Sequence, residues 1–171
     1  MTVGITVNAA TIGLDTLQAG LQRMAALGER PRPIWDAIGN YGESSTRLRF
    51  KRQQDPDGKR WVPSIRARVS GGQTLVHKAR LLRSITHNAT NSGTAWGTNV
   101  IYAGIHQFGG TIKAKGGGAL RFRIPGGGFA TVKAVKMPPR AFVGVNADDA
   151  KEMLRLTTET IDLAARNRGA T

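Results

Sequence analysis

The chain has 171 residues, with 25 lysines and arginines against 11 aspartates and glutamates, a formal net charge of +14. It contains no cysteine, which excludes a disulfide framework, a thiolate metal site and a cysteine nucleophile. No apolar run approaches the ~20 residues needed to cross a bilayer, and no charged-then-apolar signal opens the chain. The length suits one domain with a real core, and no shift in composition marks a second. The expectation is a single soluble domain, 1–171, acting or assembling in a reducing cytoplasm.

The charge is unevenly placed. Residues 1–57 carry seven basic and six acidic side chains, and residues 148–171 carry four and five. Between Asp57 and Asp148 lie fourteen lysines and arginines and no acid. No salt bridge can form within that segment, and it would attract a polyanion, either nucleic acid or an acidic protein face. A solvated basic surface that keeps copies apart until assembly accounts for the same charge equally well.

In chain order, Val3, Ile5 and Val7 alternate as a first strand. Asn8 is placed to cap a helix over about 9–27, whose face carries Leu14, Leu17, Leu21 and Met24. Gly28, Pro31 and Pro33 interrupt it, and Pro33 suits the first turn of a second helix. That helix runs to about Phe50 with Ile34, Ile38, Tyr41, Ser45 and Leu48 along one face. Arg47, Arg49, Lys51 and Arg52 gather at its end, where cations complement the dipole. Asp55-Pro56-Asp57-Gly58 is a strong turn signal. It is not a calcium loop, because Lys59 and Arg60 stand where further oxygen ligands belong. Trp61 then reads as a core plug, and the basic stretch over about 62–76, without period, reads as a loop.

Residues 75–85 suggest a helical turn passing into a strand near Leu82. Strands over about 83–89 and 93–100, joined through Asn91-Ser92-Gly93, form a hairpin. From Trp96 to Gly110 a strand with Trp96, Thr98 and Val100 at period two passes into a helical turn carrying Ile101, Ile105 and Phe108. Gly109 and Gly110 end that turn. Trp96, Ile101, Ile105, Phe108 and Phe142 are expected to share a core.

Gly116–Gly118 and Gly126–Gly128 bound a second hairpin, an arm over about 113–137. Leu120, Phe122 and Ile124 alternate in it with basic residues, as an apolar face for a neighbouring subunit. Arg121, Arg123, Lys133 and Lys136 are its candidate contacts to DNA or an acidic partner. The triple glycines are no phosphate loop, since no glycine-lysine-serine/threonine opens a helix after them. Pro138 and Pro139 stop the arm, and AFVGV returns to the core. A last helix over about 147–166 is capped by Asn146 and begins with Asp148, Asp149 and Glu152. Lys151, Glu152, Arg155, Glu159 and Asp162 share one arc. The remaining apolar arc is wider than the ~100° that one core needs, so Leu156 and Leu163 are assigned to a subunit contact.

Catalytic chemistry is not evident. His77, His87 and His106 have no paired ligand spacing, and no carboxylate in the central segment can orient a base. Nucleophile-elbow and metal motifs are missing, so neither a catalytic residue, a metal nor a cofactor is assigned, and an enzyme is not expected.

Several stretches then fall in a recognisable order: RPIWDAIGNYGESSTRLRF, QDPDGKRW, LLRSI, GTNVIYAGIHQFGG and PPRAFVGV before an acidic-started helix. In this order they resemble the phage virion morphogenesis proteins, the tail-completion group of contractile-tailed phages and Mu-like prophages. The resemblance rests on Asp55, Pro56, Asp57, Gly58 and Trp61, on Gly97, Thr98 and Asn99, and on Tyr102, His106, Gln107, Phe108, Gly109 and Gly110. Pro139, Arg140 and Phe142 complete it. Two departures stand out: Lys78-Ala79 replaces an expected Thr-Gly before LLRSI, and the glycine-rich hairpin is elaborated.

The resemblance implies an α+β fold, with a small antiparallel sheet, N-terminal helices, a long C-terminal helix and an extended hairpin. It implies a structural virion protein of the neck or tail terminus, assembled in the bacterial host cytoplasm, which completes the tail and joins it to the head. Implied partners are further copies of itself, expected as a hexameric ring, other neck, tail-tube or head-completion proteins, and genomic DNA in the channel; no membrane is implied. The alternative is a basic nucleic-acid-binding protein, against which stand only ten aromatics with no base-stacking motif.

Overall fold

A computed structural model describes residues 3–7, 14–26 and 30–169. Asn8 as a cap, the helical start over 9–13 and the Gly28 break lie outside the described residues. Strand β1 (Val3–Val7) precedes helices α1 (Leu14–Ala26) and α2 (Arg32–Arg52). Two short helices follow, α3 (Ile65–Ser70) and α4 (Arg80–Arg83), then the hairpin β2 (Thr86–Ala89) and β3 (Thr94–Thr98). Helix α5 (Ala103–Phe108) leads into strands β4 (Gly110–Lys113), β5 (Leu120–Arg123), β6 (Phe129–Val132) and β7 (Ala134–Met137). Helix α6 (Ala147–Gly169) ends the chain. The architecture is α+β, with N-terminal helices, small antiparallel sheets and a long C-terminal helix.

The chain divides into two compact units. One contains residues 47–84 and 98–144; the other contains 4–46, 85–97 and 145–171. The division falls inside α2, so that helix contributes to both.

The second unit is helical with a small sheet. β1, β3 and β2 lie side by side in that order, and β2 pairs antiparallel with β3 through His87↔Trp96 and Ala89↔Thr94. Alternation buries Thr94 and Trp96. Trp96 lies against Gly42 of α2, where an added Cβ would stand 2.8 Å from its Cε3, and its indole N–H donates to Thr46 Oγ1 at 3.1 Å. Along α6 a stripe of Asp149, Met153, Thr157 and Ile161 is buried. Gly20 allows α1 close to it, since a Cβ there would stand 2.8 Å from Ile161 Cδ1. Asn146 caps α6 as the sequence suggests, and the caps are reciprocal. Asp149 N donates to Asn146 Oδ1 (2.7 Å) and Asn146 N to Asp149 Oδ2 (3.0 Å). Tyr41 and Ser45 also donate to Asp149 Oδ1, at 3.0 and 2.8 Å. Burial and then the hydrogen bond to Asp149 push the Tyr41 hydroxyl up to about 12. His87 bonds Glu43 Oε2 at 2.7 Å and Asp36 Oδ1 at 3.3 Å. Burial opposes its charged form, but the two carboxylates outweigh burial and raise its pKa above 6.5.

The first unit centres on three aromatics from three segments. Phe50 meets Trp61 edge-on at 5.4 Å and Phe142 at 5.2 Å, and all three are buried. The β4–β7 and β5–β6 pairs form two consecutive antiparallel ribbons of one arm, registered by Ile112↔Val135 and Phe122↔Ala130.

Five expectations need correction. The strand expected from near Leu82 is instead helix α4 (Arg80–Arg83), and β2 begins only at Thr86. Leu48 is exposed, and α2 instead buries Ile34, Trp35, Ile38, Thr46, Arg49 and Phe50. Arg49 is no solvated dipole partner, because its Nη1 donates to the carbonyls of Phe142 (3.1 Å) and Gly144 (2.8 Å). The stretch near 64–75 holds helix α3, started by Ser64 Oγ accepting from Ala67 N at 3.1 Å. Finally, no single core joins Trp96, Ile101, Ile105, Phe108 and Phe142. Ile101 is 83% exposed, Phe108 69%, and Ile105 is half-buried. Three- and four-residue spacing places residues on one helical face, but only packing decides whether that face is covered.

The Lys78-Ala79 departure has a backbone consequence. Ala79 stands at φ 53°, ψ 10°, a left-handed conformation that glycine adopts without penalty. Relief of that cost, about 1–2 kcal/mol, outweighs the extra unfolded-state entropy of glycine. Ala79→Gly should therefore raise stability by up to about 1 kcal/mol in urea denaturation. An unchanged or lower midpoint would show that the surroundings, not the residue, set this conformation.

Candidate functional site

All but Gly97 of the residues that carry the resemblance to the phage proteins lie in the first unit, and several of them form a clasp there. Asp55 Oδ1 accepts from Asp57 N (3.1 Å) and Lys59 N (2.8 Å), and Gly58 turns the chain at φ 84°. This turn delivers Trp61, whose indole N–H donates to Ala141 O at 2.9 Å. Pro56 lies against Gly144, its own Cβ 3.1 Å from where a Cβ on residue 144 would stand. On the other side, Gln107 of α5 reads the PPRAFVG backbone like a strand neighbour. Its Oε1 accepts from Phe142 N (2.9 Å) and Val143 N (3.1 Å), and its Nε2 donates to Val143 O (2.8 Å). Arg140 is buried, donates Nε to Val62 O at 2.7 Å, and gives its backbone N–H to His106 O at 2.7 Å. Each of these contacts positions a side chain or a stretch of backbone.

His106 shows the same. Tyr102 stacks edge-on against it at 5.9 Å, and its Nδ1 is buried without a hydrogen-bond partner. Burial, then the Arg140 charge, lowers its pKa below 6.5, so it is held neutral. Thr98 is buried and shares a 2.6 Å hydrogen bond with Ser84 Oγ. Gly97 sits on β3 in the other unit, opposite Thr86, and Asn99 is exposed.

The clasp holds one feature suited to recognition, an apolar groove of about 660 Å³. Its arm side is Ile112, Leu120, Phe122, Val135 and Met137. Facing them are Val62, Ile65 and Leu75, with Arg68, Arg121, Lys136 and the buried Arg140 as the cations along it. Ile112 and Phe122 are each 40% exposed and Ile65 is 51%, so the apolar floor remains open to solvent. Arg121 lies over the Phe129 ring at 4.8 Å. At the arm's tip, Arg123, Ile124 and Gly126 line a shallower cleft with Arg66 and Ser70 of α3. Lys133 is exposed at the junction of the two ribbons. Of the four candidate contacts on the arm, Arg121 and Lys136 lie among the residues lining the groove and Arg123 among those lining the tip cleft, while Lys133 lines neither.

Sequence reasoning assigned the arm side of this groove through Leu120 and Phe122, but missed Val62, Ile65, Leu75 and Arg68. The missed signal was Ser64 as a cap before Ile65 and Val69, four residues apart. Leu156 and Leu163 belong to the other unit, on α6, where Leu156 is half-buried and Leu163 is 57% exposed. Among the described residues no cluster of three metal-ligating side chains occurs, and no helix is long and apolar enough to cross a membrane.

Fold and groove together define a small α+β protein with a cation-edged apolar recess beneath a β-arm. Residues 12–162 match the phage virion morphogenesis family, and the chain belongs to that family. It is also similar to the Mu-like prophage FluMu G protein 2 of Haemophilus influenzae, at 30% identity over 109 residues. That match covers 64% of this chain and 72% of the relative. No solved structure matches the chain.

Proposed function

We propose that the chain is a structural protein of the phage neck or tail terminus. It completes the tail and mediates head–tail joining as a homo-oligomeric ring, expected to be a hexamer, around the DNA channel. Family membership over residues 12–162 carries this reading. The clasp, built from positioning hydrogen bonds rather than a reacting set, supports a non-enzymatic role. The exposed apolar positions on the arm and on α6 supply surfaces for copies of the chain and for neck, tail-tube or head-completion proteins.

The arm provides the test. Deletion of residues 116–128 removes β5 and both glycine clusters while sparing the Phe50–Trp61–Phe142 cluster. The variant should keep its circular dichroism, while heads and tails accumulate unjoined in electron micrographs of lysates. Normal numbers of joined, infectious particles would overturn the proposed role of the arm.

Direct nucleic-acid binding is the second reading, favoured by the charge of the first unit, which holds eighteen basic and two acidic residues. Size-exclusion mass with and without duplex DNA separates the two. A defined oligomer indifferent to DNA supports the ring.

A further inference from the structure

The two units divide the charge of the chain. Against the eighteen bases and two acids of the first, the second holds seven bases and nine acids. Copies meeting through their basic units would repel each other. A contact between the basic unit of one copy and the other unit of the next would not. Charge therefore favours a head-to-tail arrangement, in which two different surfaces of the chain meet.

Both surfaces are present. On the basic unit, the groove offers an open apolar floor edged by Arg68, Arg121 and Lys136. On the other, α6 carries Glu152, Leu156, Glu159 and Leu163, at steps of four, three and four residues. That spacing sets them along one stripe of the helix. The stripe is separate from the buried row of Asp149, Met153, Thr157 and Ile161, and Leu163 is 57% exposed. Arg155 bonds both carboxylates, to Glu152 Oε1 at 2.6 Å and to Glu159, which holds them on the surface beside the leucines.

We propose that the groove of one copy receives the Glu152–Leu163 stripe of the next. The leucines enter the apolar floor, and the two glutamates face Arg68, Arg121 and Lys136. This is helix-in-groove recognition, with anchors at the spacing one helical face supplies. The inference rests on reading the chain as a self-assembling virion component, and it names the surfaces that assemble. Each added copy keeps one free groove and one free stripe, so the contact propagates from copy to copy and ends in a ring where its rotation closes.

Two variants test it. One carries Arg121→Glu and Lys136→Glu in the groove; the other carries Leu163→Asp in the stripe, so that the altered groove and the altered stripe are both acidic and repel each other. Each alone should keep its circular dichroism and be monomeric by light scattering, at concentrations where the unaltered chain is oligomeric. Mixed in equal amounts, they should form pairs of twice the monomer mass and nothing larger. In such a pair the intact stripe of the first fills the intact groove of the second, and the remaining two surfaces are disabled. A monomeric unaltered chain, an unchanged mass for either variant, or a mixture that stays monomeric or grows beyond pairs would each overturn the proposal. So would duplex DNA binding that the groove variant loses while its oligomer mass stays intact. If either variant fails to fold, Phe122→Ser with Lys136→Gln and Leu163→Ser with Glu159→Gln carry the same mixing experiment. Masses are read on purified protein and head–tail joining on particles, so each proposal can fail without the other.

Discussion

Phe50→Ala is expected to cost about 3–5 kcal/mol of folding stability, the range for truncating a buried phenylalanine. Phe50 is fully buried at the end of α2, between Trp61 and Phe142. Neither neighbour is free to fill the void. Trp61 is held by its indole hydrogen bond to Ala141 O, and the backbone of Phe142 is held by Gln107 and Arg49. The residual cavity therefore adds to the lost transfer energy. Urea denaturation should show a lower midpoint with an unchanged slope. A loss below about 1 kcal/mol would mean that the cluster collapses around the gap and is not the centre of its unit.

Gly109→Ala should be costly through a different mechanism. Gly109 ends α5 at φ 71°, ψ −171°, a region that is essentially glycine's alone. The strain of placing alanine there is on the order of 1–3 kcal/mol. Space is also lacking, since the new Cβ would stand 2.8 Å from Pro139 N and 2.9 Å from Pro139 Cδ. Overpacking adds roughly 1–3 kcal/mol more, because proline backbone cannot swing aside as a side chain can. Gly109 is the link between α5 and β4, the first strand of the arm, so relief of the clash would shift the arm's root. Thermal melts should show the loss, and Gly71→Ala, at φ 71°, ψ −174° with nothing within 4 Å of the added Cβ, serves as the strain-only control. Equal losses at the two glycines would remove the steric part of the argument.

The sequence by itself determined the elements whose causes are local. Period-two residues and Asn91-Ser92-Gly93 specify the β2–β3 hairpin, triple glycines the arm's turns, Asn146 the start of α6, and Asp55 to Gly58 the turn before Trp61. The family was legible for the same reason, because its signature residues are the turn and clasp residues of contiguous stretches. Tertiary structure alone decided which periodic faces are covered. Ile101 and Phe108 have the spacing of a core and lie in solvent, while Arg49 and Arg140 have the chemistry of a surface and are buried. The reason is that a buried guanidinium needs carbonyl partners, and those of Arg49 lie at Phe142 and Gly144, far along the chain. The groove was half visible for a related reason. Its arm side follows strand alternation, whereas its other side depends on a six-residue helix, too short for propensity to define without its Ser64 cap. The acid-free central segment could be counted from the sequence. Its separation from the acids of α2 and α6 into a different compact unit came only with folding, because the unit boundary runs through a single helix.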